Sequence, residues 1–239
     1  MKRILFLGLI VLMSMGSKAQ GLNPWSSSND EGLTAKMLEN FRMSIIATRS
    51  DFSIESLKKD FDGSPFLVDS WQKGTINMKN GEKVNYEDMV FNLYNNQFWV
   101  RKEDGIKSLV FNPDVAYCEL DGKKFVFKPY QQNDKIKDGL QELLAEGKLS
   151  LMKLYYCKFI PGEKMTSAYQ APAKPRFAVN KDFYYQDGDS VALPLPSGKD
   201  LFAIFGDAQG KMASYAKENK LKLKKEEDLV KLFTYYNSL

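Results

Sequence analysis

Residues 71–129, WQKGTINMKNGEKVNYEDMVFNLYNNQFWVRKEDGIKSLVFNPDVAYCELDGKKFVFKP, decide the fold. Short apolar runs (WQKGTINM, MVFNLY, FWVRK, IKSLVF, VAYCEL, KFVF) are separated by the turn pairs Asn80-Gly81, Asn95-Asn96, Asp104-Gly105, Asn112-Pro113 and Asp121-Gly122. Asn-Gly and Asp-Gly tolerate the positive φ that tight hairpin turns require, so consecutive strands are expected to pair antiparallel as a meander. Alternation then assigns faces: Phe125 and Phe127 point one way, Lys124 and Lys128 the other, as when one face is buried and the other wet.

Downstream, residues 136–146 read as a short helix ending near Gly147, followed by a long strand, KLSLMKLYYCKFI. The stretch PGEKMTSAYQAPAKPRF carries Pro161, Pro172 and Pro175 and reads as a surface connection. A hairpin of DFYYQ and SVALPL around the turn DGD leads into a tail of three helices. In PSGKDLFAIFG, Ser197 and Asp200 have capping spacing and Gly206 can close the turn. Asp207 is placed to cap a second helix carrying Met212, Tyr215 and Ala216. The third begins near Lys225, with Leu229, Leu232, Phe233 and Tyr236 forming one apolar stripe. The lysines before it and Glu226, Glu227 and Asp228 at its start complement the helix dipoles, which accounts for that charge run without a ligand.

Upstream, MKRILFLGLIVLMSMGSKAQG has the charged start, apolar centre and small-residue end of a secretory signal peptide. The run from Ile4 to Met13 reaches about half of a ~30 Å bilayer core, so no transmembrane anchor is expected once it is cut between Ala19 and Gln20. The expected organisation is a signal peptide (1–19), a flexible leader (20–32), an N-terminal helical segment (33–60) built on the amphipathic stretch 33–48, an antiparallel β domain (61–160), and a connecting loop, hairpin and helical region (161–239). The fold class is α+β: an antiparallel meander sheet, curled or barrel-like, with a three-helix tail against it.

The whole chain of 239 residues carries a net charge of +4. Residues 1–19 hold Lys2, Arg3 and Lys18 and no acid, so cleavage lowers this to +1. That near-neutral balance lacks the electrostatic footprint of nucleic-acid binding, and no nucleic-acid partner is expected. The chain has no histidine, which removes Ser-His-Asp and Cys-His nucleophile systems, histidine-ligated metals and histidine pH switches. No phosphate-binding glycine loop or nucleophile elbow occurs, and no cofactor or metal is expected. Ser56-Leu57-Lys58-Lys59 matches a serine-lysine pattern whose companion elements are missing, so it reads as a helix start with surface lysines. Asp182, Asp187 and Asp189 offer the only acid pairing worth testing for hydrolysis or calcium, and they read more simply as a solvated turn. Cys118 and Cys157 fall within expected strands and can pair as a disulfide if those strands are neighbours; otherwise they are two buried thiols.

The segments FDGSPFL, GTINMKNGEKVNYEDMVFNLYNN, AYQAPAKPRF and KENKLKLKKEEDLVKLFTYYNSL resemble a family of exported hypothetical proteins of Bacteroidetes-type bacteria. The resemblance runs from about residue 60 to the C-terminus, and the closing EEDLVKLFTYYNSL stretch is its most specific part. It implies export to the envelope and brings no activity, ligand or site residue with it.

Three function classes follow. The leading one is a non-enzymatic cell-envelope binding or interaction module that uses a sheet face or edge, with Trp71, Trp99, Tyr155 and Tyr184 as the candidate surface. The second is a carrier of an apolar, lipid-like ligand in a cavity lined by Phe91, Phe98, Phe125 and Phe127. The third is a carboxylate-based hydrolase.

Overall fold

The computed structural model describes residues 54–109, 111, 113–162 and 174–239. The expected signal peptide, leader and 33–48 helix lie outside these residues. The described part of the N-terminal helical segment is helix α1 (Ile54–Asp60), whose Ile54 and Leu57 are buried. Ser56 and Lys59 fall on it.

Ten strands make one curled antiparallel sheet. They are β1 (Gln72–Met78), β2 (Lys83–Asn92), β3 (Gln97–Lys102), β4 (Gly105–Ser108), β5 (Val115–Leu120), β6 (Lys123–Gln132), β7 (Lys135–Ala145), β8 (Leu149–Ile160), β9 (Arg176–Asp187) and β10 (Leu193–Pro194). The turn chemistry places the hairpins where expected: Gly81, Asn96, Gly105, Asp121 and Gly122 all adopt positive φ. The order across the sheet is β10-β9-β8-β7-β6-β5-β1-β2-β3-β4, which departs from a meander at one step. After β4 the chain returns past three strands, β3, β2 and β1, and β5 pairs with the free edge of β1, with Gly74 opposite Leu120 and Ile76 opposite Cys118. Four successive hairpin strands would leave β1 as an open edge, and the return covers it.

Two further corrections concern local structure. Of residues 136–146, all but Glu146 belong to strand β7 and not to a helix, and its segment from Gly139 to Glu142 is buried throughout. The C-terminal tail contains two α-helices, α2 (Gln209–Glu218) and α3 (Glu226–Asn237); the expected first helix is a 3₁₀ segment, Gly198–Ala208, broken at Gly206 with φ 54°. Neither Ser197 nor Asp207 caps a helix through its side chain. The tail packs Leu201, Phe205, Met212, Ala216, Leu229, Leu232 and Phe233 against Ala145, Leu149 and Leu151 of the sheet. Asn237 fastens the end of α3: its Oδ1 accepts the Leu149 N–H at 3.1 Å and its Nδ2 donates to the Leu149 carbonyl at 3.0 Å.

On the opposite face of the sheet a second cluster joins Val126, Met152, Leu154, Tyr184 and Ala192. Burial on both faces overturns the one-wet-face expectation at β6, where Phe125 is fully buried, Val126 is buried on the other side, and Phe127 is 45% exposed. The segment before β1 ties distant strands together. Asp62 bonds Phe177 and Pro175 at the start of β9, while Pro65 and Leu67 bond Leu93 and Phe91 of the β2 region. Gly63 makes this possible, since its φ is +75° and a Cβ there would meet the Phe177 carbonyl oxygen at 2.6 Å.

Candidate functional site

Strands β7 and β8 separate after only three residue pairs, Glu142 with Lys153, Leu143 with Met152 and Ala145 with Leu151. Their own hairpins run much further: β6 and β7 pair to Gln132 and Lys135, β8 and β9 to Ile160 and Arg176. The sheet therefore forks, and the backbone of β7 beyond Glu142 faces a gap where β8 should be. Asn96, at the β2–β3 turn, fills one rung of that missing ladder. Its Oδ1 accepts the Leu140 N–H at 2.6 Å and its Nδ2 donates to the Leu140 carbonyl at 3.1 Å. The side-chain amide thus stands in for a strand. Gly139 permits the approach, because a Cβ there would lie 3.0 Å from Asn96 Oδ1 and from the Tyr130 ring. Asn96→Ala leaves both Leu140 groups without their partner and is expected to cost about 1–3 kcal/mol in urea unfolding.

A cleft of about 1200 Å³ opens at the fork. One part is aromatic and polar, with Tyr130, Asn133, Tyr156, Lys158, Asp182 and Tyr184; the helical side supplies apolar groups, including Leu195, Leu221 and Leu229. Register explains the first set. Leu154 pairs with Asp182 and Met152 with Tyr184, so Tyr156 is a diagonal neighbour of Asp182 on the same face. Tyr130 meets Tyr184 edge to face, with ring centroids 5.7 Å apart. Burial, then the Asp182 charge and the phenols of Tyr130 and Tyr156, push the Tyr184 hydroxyl up to about 12. Burial and then Asp182 raise Tyr156, while burial and then Asp138 raise Tyr130. All three phenols therefore stay protonated at neutral pH and can both donate and accept hydrogen bonds.

On the helix-facing side at the base of the fork lies a buried ionic group. Lys153 Nζ is 2.8 Å from Glu142 Oε2 and 2.7 Å from Glu226 Oε1 at the start of α3. The Tyr155 hydroxyl donates to Glu142 Oε2 at 2.7 Å. Burial opposes the Lys153 charge, but hydrogen bonds to Glu142, Glu226 and Tyr155 outweigh it and hold its pKa above the usual lysine range. Burial raises Tyr155 as well, and the Lys153 contact opposes that rise without cancelling it. A lysine held this firmly protonated is a poor nucleophile or base.

No family model, curated protein or solved structure matches this chain.

The four aromatic residues singled out in the sequence are not brought together. Trp99 is buried and its ring packs edge-on against Phe66 at 5.5 Å. Trp71 is half-buried under the Arg101 guanidinium, 4.4 Å from the ring centre. Tyr155 and Tyr184 line the cleft but are both buried, whereas Tyr156 and Tyr130 are among its half-buried members. Strand pairing by itself did not tell which member of Tyr155-Tyr156 faces outward. Lys153, the lone charge in the apolar run LSLMKLYYC, was the available signal for the buried ionic group.

The other candidates also resolve. No disulfide links Cys118 to Cys157: they lie on β5 and β8, with β6 and β7 running between them, so the required strand adjacency is absent. Burial pushes the Cys118 thiol up to about 12, so it acts as a small core side chain. Phe91, Phe98 and Phe125 interlock at centroid distances of 4.9, 5.1 and 5.5 Å, and Phe127 stacks on Phe111 at the surface, so these four enclose no cavity. Asp182 and Asp187 point to opposite faces of β9 by alternation, and Asp189 sits beside Lys128 at 3.2 Å in the following turn. Among the described residues, no group of three acidic or cysteine side chains is placed to hold a metal, and no helix is long and apolar enough to cross a membrane.

Proposed function

We propose that this protein is an exported, non-enzymatic binding module of the cell envelope that takes its ligand in the cleft at the fork of its sheet. The observation that carries the reading is the early separation of β7 and β8, which leaves about 1200 Å³ of space lined by both aromatic and hydrogen-bonding side chains. Ligand sites pair such mixed linings with concavity, and most are about 300–1000 Å³, so this one has room for an extended molecule. Export rests on the N-terminal pattern of a charged start, an apolar centre and Ser17 and Ala19 at its end. The non-enzymatic reading rests on a histidine-free chain in which, among the described residues, the one deeply buried lysine is locked in ion pairs.

Two measurements test this. The exported chain is expected to begin at Gln20 by intact mass; retention of Met1 in a chain isolated from the envelope would count against export. In a thermal-shift screen of sugars, lipids, amines and nucleotides, at least one class should raise the unfolding midpoint of the wild type and leave Tyr156→Arg, which blocks the cleft, unmoved. Equal responses from both proteins would remove the cleft as the site.

A further inference from the structure

We infer that the ligand of this cleft is a neutral oligosaccharide, an inference that rests on the cleft being the binding site. The argument begins with charge. Among the cleft residues, Asp182 carries the negative charge and Lys158 and Lys224 the positive. An organic cation would meet two ammonium groups for one carboxylate. An anion would gain from the two lysines but meet Asp182, and the lining offers no arginine fork to grip it bidentately. A mixed, nearly balanced set suits a ligand without formal charge.

The remaining groups favour a polyhydroxylated one. Tyr130 and Tyr156 are half-buried, so each keeps ring surface available, and the apolar C–H face of a sugar ring packs on such surfaces. The Tyr130 phenol stays protonated and can donate to one sugar hydroxyl and accept from another, while the Tyr156 phenol leans on Asp182 and keeps its oxygen free to accept. Asp182 is exposed beside Tyr156 and accepts hydroxyl protons; Asn133, exposed at the tip of the β6–β7 hairpin, adds an amide that does both. A lipid chain would leave these groups desolvated without partners, which carries a penalty. The volume exceeds the usual range for a single small molecule, so several sugar units fit better than one.

The test is calorimetric titration of the exported chain with maltohexaose, cellohexaose and chitohexaose, with choline, decanoate and oligothymidylate run in parallel. At least one neutral hexasaccharide is expected to bind saturably, with affinity reduced tenfold or more in Asp182→Asn and in Tyr156→Ala. Tyr156→Phe, which keeps the ring and its packing, should lose less. Should Tyr156→Ala fail to fold, the exposed Asp182→Asn and the conservative Tyr156→Phe still decide. Binding by choline, decanoate or oligothymidylate with none of the sugars overturns the sugar inference and leaves the binding function standing. Sugar binding that all three variants retain unchanged also overturns it. A response to no probe at all, here and in the thermal screen, defeats both.

Discussion

Lys153→Met lowers the unfolding free energy by about 3–5 kcal/mol, read by urea denaturation at neutral pH. Lys153 is 3% exposed and Glu142 5%, so removing the ammonium leaves a buried carboxylate with, among the described residues, only the Tyr155 hydroxyl as donor. It also takes the closer of two lysines from Glu226, leaving the start of α3 held to the sheet by the longer, more exposed Lys181 contact at 3.7 Å. Breaking one partner of a buried pair costs far more than replacing the pair, so Lys153→Met combined with Glu142→Leu should recover much of the loss. The pH sense follows from the direction of the shift. The folded pKa of Lys153 is raised, so its contribution is complete below the unfolded lysine value of about 10.4 and disappears only as pH climbs through the higher folded value. The gap between wild type and Lys153→Met should therefore hold from neutral pH to about pH 10 on the alkaline side. A loss under about 1 kcal/mol would show that the group is no better than a surface pair.

Phe98→Ala should cost a comparable amount, about 3–5 kcal/mol by the same measurement. Phe98 is fully buried and its ring contacts Phe91, Phe111 and Phe125, so truncation opens a hole that three rings border. Phe98→Leu keeps most of the volume and should cost less than half as much. Phe127→Ala is the internal comparison: at 45% exposed it removes little buried surface and should stay within about 1 kcal/mol. Similar losses at Phe98 and Phe127 would contradict the packing described here.

Most strand positions were legible because hairpin turns leave a chemical mark that needs no tertiary context: Asn80-Gly81 and Asp121-Gly122 turn wherever they are placed. Pairing partners leave no such mark. Nothing in VAYCEL says that it belongs beside β1 rather than β4, because that choice is made by an edge that must be covered. β7 reads as a helix in the sequence for a related reason. Its residues Leu140-Gln141-Glu142-Leu143-Leu144-Ala145 favour a helix locally, and burial between β6 and β8 overrides that preference. The site was half legible. Tyrosine doublets mark β8 and β9, but a one-residue choice of parity exchanges the core member for the cleft member, and the sequence does not distinguish buried Tyr155 from the more accessible Tyr156. The fork itself is a matter of where two long hairpins stop touching, which no single stretch of sequence encodes.

The return of β5 to β1 has a consequence for assembly. The earliest strand of the sheet occupies an interior position, so one of its two ladders forms with its immediate neighbour and the other must wait for residues as far along as Leu120. Until those arrive, β1 presents a row of unmatched amides and carbonyls that another chain could zip onto. Closing that loop costs more entropy than closing the hairpins on either side, so the interval before β5 arrives is a vulnerable one for a newly made molecule.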